Sequence, residues 1–108
     1  MGRVKVYHYS RCATCRRSIN MLRKENHDLE LRDIFKDRLS RDEIRMILAK
    51  AGLSARDLVR RRSRAYREIL EGAYSDDEII DMLCRDPSLI ERPIIIMDEK
   101  VLVRPRLE

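Results

Sequence analysis

The chain has 108 residues, 44% hydrophobic and 40% charged, with one Phe and no Trp, which fits one unit with one core and excludes disorder. A formal charge of +5, dominated by arginine, favours anionic partners: oxyanions, nucleic acid, or simply water around ion pairs. No apolar run approaches the ~20 residues needed to cross a bilayer, and "VKVYHY" lacks the long apolar centre of a signal peptide, so no membrane and a cytoplasmic location are expected.

In that reducing setting an odd count of three cysteines speaks for reactive or buried thiols and against a disulfide framework. The first element, residues 3 to 7, alternates charged and apolar positions around β-branched Val4 and Val6 and predicts a strand. After Ser10 the spacing turns helical: Cys15, Ile19 and Leu22 share one face, so the cysteines of "YHYSRCATCRRS" open a helix. Residues 28 to 35 alternate again and predict a second strand, and a β-helix-β unit of this length favours parallel pairing.

Ser40 with Glu43 has the spacing of a capping box, Ile44, Ile47 and Leu48 supply an apolar face, and Gly52 ends that helix. A short helix is expected from Ser54, and the run Arg60 to Arg64 is expected to continue as a basic helical segment. Ser75 caps a further helix with an acidic first turn and a stop at Pro87. Residues 92 to 104 read as two strands joined by a turn at Asp98 to Lys100. The order βαβ, helices, ββ makes a small α/β or α+β sheet domain with a helical insertion, compatible with a thioredoxin-like sheet among other topologies.

The chemistry concentrates at the strand-to-helix turn. Unpaired N–H groups and the helix dipole stabilise a thiolate at a helix N-terminus, and Cys12 occupies that place. With Arg11, Arg16 and His8 adding positive charge, Cys12 is expected to titrate below the usual thiol value. Cys15, inside the first turn, is expected to pack against the sheet as a second-step or structural thiol. Three readings compete: a redox dithiol or its single-nucleophile variant, which leads; a zinc site from His8, Cys12, Cys15 and His27, weakened because His27 stands ~15 Å away at the far end of the helix; and ordinary buried thiols, the reading also given to Cys84 beside Ile80 and Leu83.

Four stretches, "YHYSRCATCRRSINML", "LVRRRSRAY", "SDDEIIDMLCRDPSLIERPIII" and "VLVRP", resemble the arsenate reductase (ArsC) and Spx family over nearly the whole chain. The opening one is similar to that family's H-x-x-x-C-x-x-[SC]-R loop, with His8, Cys12 and Arg16 on matching positions and Cys15 on the variable one. The resemblance implies an α/β, thioredoxin-like (glutaredoxin-like) mixed sheet with a helical insertion. It also implies a single domain over 1–108, with the thioredoxin-like part at about 1–36 and 88–108 and the insertion at about 37–87. A cis bond before Pro93 is implied as well.

In the reductase branch the cysteine attacks arsenate and three arginines hold the oxyanion; by their flanking residues Arg60, Arg92 and Arg104 match those three positions. Paired guanidinium N–H donors suit a tetrahedral oxyanion. That branch implies no bound cofactor, with glutathione and glutaredoxin, or thioredoxin, as electron donors to a monomer. Cys15 leans instead toward Spx transcription regulators, whose C-x-x-C pair is a redox switch governing binding to RNA polymerase, whereas Arg104 leans back toward the reductase.

Overall fold

A computed structural model describes residues 3–105, and these fall into two compact units, one reaching to Asp37 and resuming at Arg92, the other Arg38–Glu91. Residues 1–2 and 106–108, counted above with the thioredoxin-like part, lie outside the described residues.

The first unit is a mixed four-stranded sheet. Its strands are β1 (Val4–His8), β2 (Leu29–Asp33), β3 (Ile94–Met97) and β4 (Lys100–Val103), in the order β2-β1-β3-β4. β2 runs parallel to β1, with Val4 opposite Leu29 and His8 opposite Asp33. β3 is antiparallel to β1, and β4 to β3. Helix α1 (Ala13–Lys24) makes the β1-to-β2 crossover and lays its apolar stripe on one sheet face, where Ile19 and Leu22 meet Val4, Val6 and Ile95, with Leu29, Met97 and Leu102 around them. Burial of each such side chain is worth ~1.5–3 kcal/mol, so this cluster fixes the register by which β1 faces α1.

β2 is shorter than the alternation predicts because Asp33 turns the chain: its carboxylate accepts the Phe35 N–H at 2.9 Å and its carbonyl accepts the N–H groups of Lys36 and Asp37 at 3.1 and 2.9 Å. The β3–β4 turn is two residues, Asp98 and Glu99, between the paired Met97 and Lys100, with Asp98 at a φ of 51°, a left-handed conformation that Asp tolerates better than most side chains. The Arg92–Pro93 peptide bond is cis.

The second unit is helical. Helix α2 (Arg41–Ala51) starts on a reciprocal Ser40–Glu43 capping box and stops at Gly52, whose φ of 68° favours a residue without Cβ. Helix α4 (Asp76–Arg85) repeats the device with Ser75 and Glu78, and it packs against α2 and against 3₁₀ turns at Ala55–Leu58 and Pro87–Leu89. Ile44, Ile47, Leu58, Ile79 and Leu83 are fully buried. Here, too, the structure differs from the sequence reading. The basic run is not helical: Val59 leaves the 3₁₀ turn extended, the Arg60 N–H donates to the Leu89 carbonyl at 2.6 Å, and Ser63 then folds back so that its N–H and hydroxyl donate to the Arg60 carbonyl at 3.0 and 2.8 Å. Helix α3 (Tyr66–Glu71) follows, a six-residue element opened by Ala65 without a capping side chain. Cys84 is half-buried, although Ile80 and Leu83 beside it are buried.

Candidate active site

The carboxyl ends of β1 and β2 and the start of β3 lie at one end of the sheet, because parallel β1 and β2 finish together and antiparallel β3 begins where β1 stops. The Tyr9–Arg11 turn follows β1 and is closed by the Cys12 N–H donating to the Tyr9 carbonyl at 3.0 Å. Arg16 braces it, its guanidinium donating to the Ser10 carbonyl at 3.2 Å.

Cys12 is the N-cap residue of α1, with φ −90° and ψ 117°. N-caps are usually Ser, Thr, Asp or Asn, whose oxygen takes up a free helix N–H; here a sulfur stands at that position and makes no full capping hydrogen bond. The first turn of α1 carries no acidic side chain, so the positive end of the dipole is left for whatever anion the sulfur becomes.

The two thiols of the turn are driven apart. Burial works against a Cys12 thiolate, but the Cys15 backbone N–H, the Cys15 thiol and the Arg92 guanidinium together outweigh it and hold Cys12 below its ordinary value. Cys15 is fully buried on the inner face of α1. Burial foremost, then the hydrogen bond to Cys12 and the charge on Cys12, push its thiol up to about 12. The arrangement makes Cys12 the more acidic thiol, with the protonated Cys15 thiol as hydrogen-bond donor to its sulfur.

The guanidinium that bears on Cys12 is thus that of Arg92, a residue picked from sequence for oxyanion binding. It is buried, 7% exposed, with its central carbon 5.3 Å from the ring centroids of both Tyr9 and Phe35. Arg104 stands at the same sheet end, one step beyond the Ile94–Val103 pair, with a φ of 46° and its N–H on the Pro93 carbonyl at 2.7 Å. Arg60 belongs to the helical unit and is half-buried there. His8, at the tip of β1, is lowered by burial against the opposing pull of Asp33. Asp33 is held below the usual carboxylate value despite some burial, chiefly by the Phe35 N–H, then by Ser10 and His8. His27 sits past α1, 3.3 Å from Glu25, and among the described residues no cluster of three or more His, Cys, Asp or Glu is placed to hold a metal.

Sequence reasoning did not single out Tyr9, Phe35 or Asp33. The signal that could have found them is their place at strand ends flanking the cysteine turn, with Phe35 the chain's one phenylalanine.

The ArsC family matches residues 7–104, from the penultimate residue of β1 to Arg104. The chain belongs to the ArsC family. An arsenate reductase of Acidiphilium multivorum is 32% identical over 98 residues, 89% of this chain and 70% of that protein. An uncharacterized protein from the glnII region of Streptomyces viridochromogenes is 32% identical over 102 residues, 90% of this chain and 86% of that one. The solved arsenate reductase of Vibrio cholerae superposes with a TM-score of 0.84 at 24% identity, covering 92% of this chain and 86% of the other, a likeness of fold. This ArsC-family sheet with its helices is the thioredoxin-like α/β architecture expected from sequence. Among the described residues no helix is long and apolar enough to cross a membrane.

Proposed function

We propose that this chain is a thiol-dependent arsenate reductase of ArsC type. The observation that carries the reading is a depressed thiol, Cys12, at the uncompensated N-terminus of α1 with a buried arginine, Arg92, acting on its sulfur. The Cys12 thiolate attacks arsenic(V), and an arsenate oxygen leaves with a proton as hydroxide or water. A second thiolate then attacks the Cys12 sulfur; the S–As pair stays on arsenic, which departs as arsenite, and two thiols become a disulfide. Covalent catalysis splits the two-electron reduction into two displacements. Arg60, Arg92 and Arg104 are the arginines assigned to the oxyanion, and their permanent charge suits both the substrate and the leaving arsenite.

The second thiol is glutathione, with glutaredoxin restoring the enzyme, or Cys15, with a thioredoxin-like donor. Adduct formation removes the Cys12 charge that helps push Cys15 up, so Cys15 becomes more acidic at the step that would need it; its burial persists and favours the external thiol first. The test is arsenate-dependent NADPH consumption, coupled to glutathione plus glutaredoxin and separately to thioredoxin. Cys12→Ser is expected to abolish turnover with either donor, and turnover retained in that variant would sink the reading. Cys15→Ser separates the routes, since it stops only the thioredoxin-coupled one.

The Cys12–Cys15 contact favours a second reading, a Spx-like regulator whose disulfide governs binding to RNA polymerase. Arsenate turnover with neither donor, together with oxidation-dependent pull-down of polymerase, would replace the first reading by this one.

A further inference from the structure

Tyr9 and Phe35 stand in the turns that leave β1 and β2, and their rings stack with centroids 3.7 Å apart at 18°. That separation is close to the ~3.5–4.0 Å optimum between carbon atoms, so the rings overlap with little offset. The Arg92 guanidinium carbon is 5.3 Å from each centroid. A cation capping one outer face would lie about a stacking distance farther from the second ring. Equal distances instead put the guanidinium midway between the ring planes, against both ring edges.

In this position the attraction that a ring face exerts on a cation is mostly forgone. What the pair supplies is a wall. It limits the rotamers of a long side chain that is costly to order, and rings bring no counter-charge to a guanidinium, as a carboxylate would. The wall is rooted in the site itself: the Tyr9 carbonyl accepts the Cys12 N–H at 3.0 Å, and the Phe35 N–H donates to Asp33 at 2.9 Å.

We propose that Tyr9 and Phe35 are positioning residues whose stacked rings hold the Arg92 guanidinium beside the Cys12 sulfur. The proposal rests on the nucleophile assigned above and on nothing about the oxyanion. Cys12 reports the position of Arg92, since the groups that bear on its sulfur are Cys15 and Arg92. Of the other charged groups at this end, His8 and Asp33 act on each other and Lys36 acts on His8, Arg16 is engaged with Ser10, and Arg104, one step beyond the Ile94–Val103 pair, is not among the groups that bear on the sulfur.

The experiment is the pH–rate profile of Cys12 alkylation by iodoacetamide in the full-length reduced protein, read on the Cys12 peptide by mass spectrometry. Phe35→Leu is expected to move the inflection up by about half a pH unit, a roughly threefold slower reaction on its acid side, and Phe35→Tyr to leave it at the native position. Arg92→Gln is expected to move it up as well, and adding Phe35→Leu to Arg92→Gln to move it no further. A native profile in Phe35→Leu, or an equal extra shift in the Arg92→Gln background, would overturn the proposal. Should Phe35→Leu lose its circular dichroism signature, Tyr9→Leu is read in the same cycle with the same two outcomes. Because alkylation needs no arsenate, failure of turnover and failure of this coupling are separate results.

Discussion

Two cysteines three positions apart have been made into different chemical groups. Cys12 is half-exposed at a helix cap with a guanidinium on it, and Cys15, one turn on, is sealed against the sheet. At pH 7.5 limited iodoacetamide should therefore label Cys12 at least tenfold faster than Cys15 in the folded protein, and in 6 M urea the two rates should converge; equal native rates would contradict the asymmetry. Cys15 also makes stability depend on alkaline pH. Its folded-state thiol is raised from 9.0 to about 12, so the unfolded chain loses that proton first. The contribution of Cys15 is complete below about pH 9 and is lost as pH climbs toward 12, by up to ~1.4 kcal/mol per pH unit. Urea titrations from pH 8 to 11 should show Cys15→Ser losing less stability than the native chain over that window.

Among the elements, those with their own punctuation were legible in the sequence. Ser40 with Glu43 announced the start of α2, Ser75 with its acidic first turn that of α4, and Gly52 announced a stop, because caps are local and need only neighbours in the chain. Ser75→Ala should cost ~1 kcal/mol in chemical denaturation by removing the acceptor of the Glu78 N–H. Gly52→Ala should cost a similar ~1 kcal/mol, all of it backbone strain, since an added Cβ meets nothing within 4 Å. Neither change should alter Cys12 alkylation.

Helix α3 was missed because it has no such marks: Ala65 caps nothing, and Ile69 is its one buried side chain. The basic run misled for a related reason. Arginine is a good helix former, but at Arg60 the pairing with Leu89 and the fold-back of Ser63 decide the conformation. In the site, Cys12 was legible as the residue between a strand and a helix. The wall of Tyr9 and Phe35 against Arg92 was not, since it joins three turns far apart in sequence through the strand order β2-β1-β3.

For the molecule as a whole, that strand order makes the sheet depend on non-local pairing. Lys5 pairs with Ile96 across the entire helical unit, and contacts that close long loops form late. Pulse alkylation during refolding should find Cys12 acquiring its native reactivity in the slowest phase, together with protection of the β1 and β3 amides. Fast-reacting Cys12 appearing ahead of that phase would mean that the helix cap alone suffices.

The placement of Arg92 has a consequence in time as well as in space. On a ribosome Cys12 emerges roughly 80 residues before Arg92, which adds to the Cys15 groups in holding its thiol low, several seconds at ~5–20 residues per second. Through that interval the sulfur lacks the Arg92 share of its lowering, and a less acidic thiol is slower toward peroxide and toward other cysteines. The full acidity of that sulfur waits on a residue made after the whole helical unit.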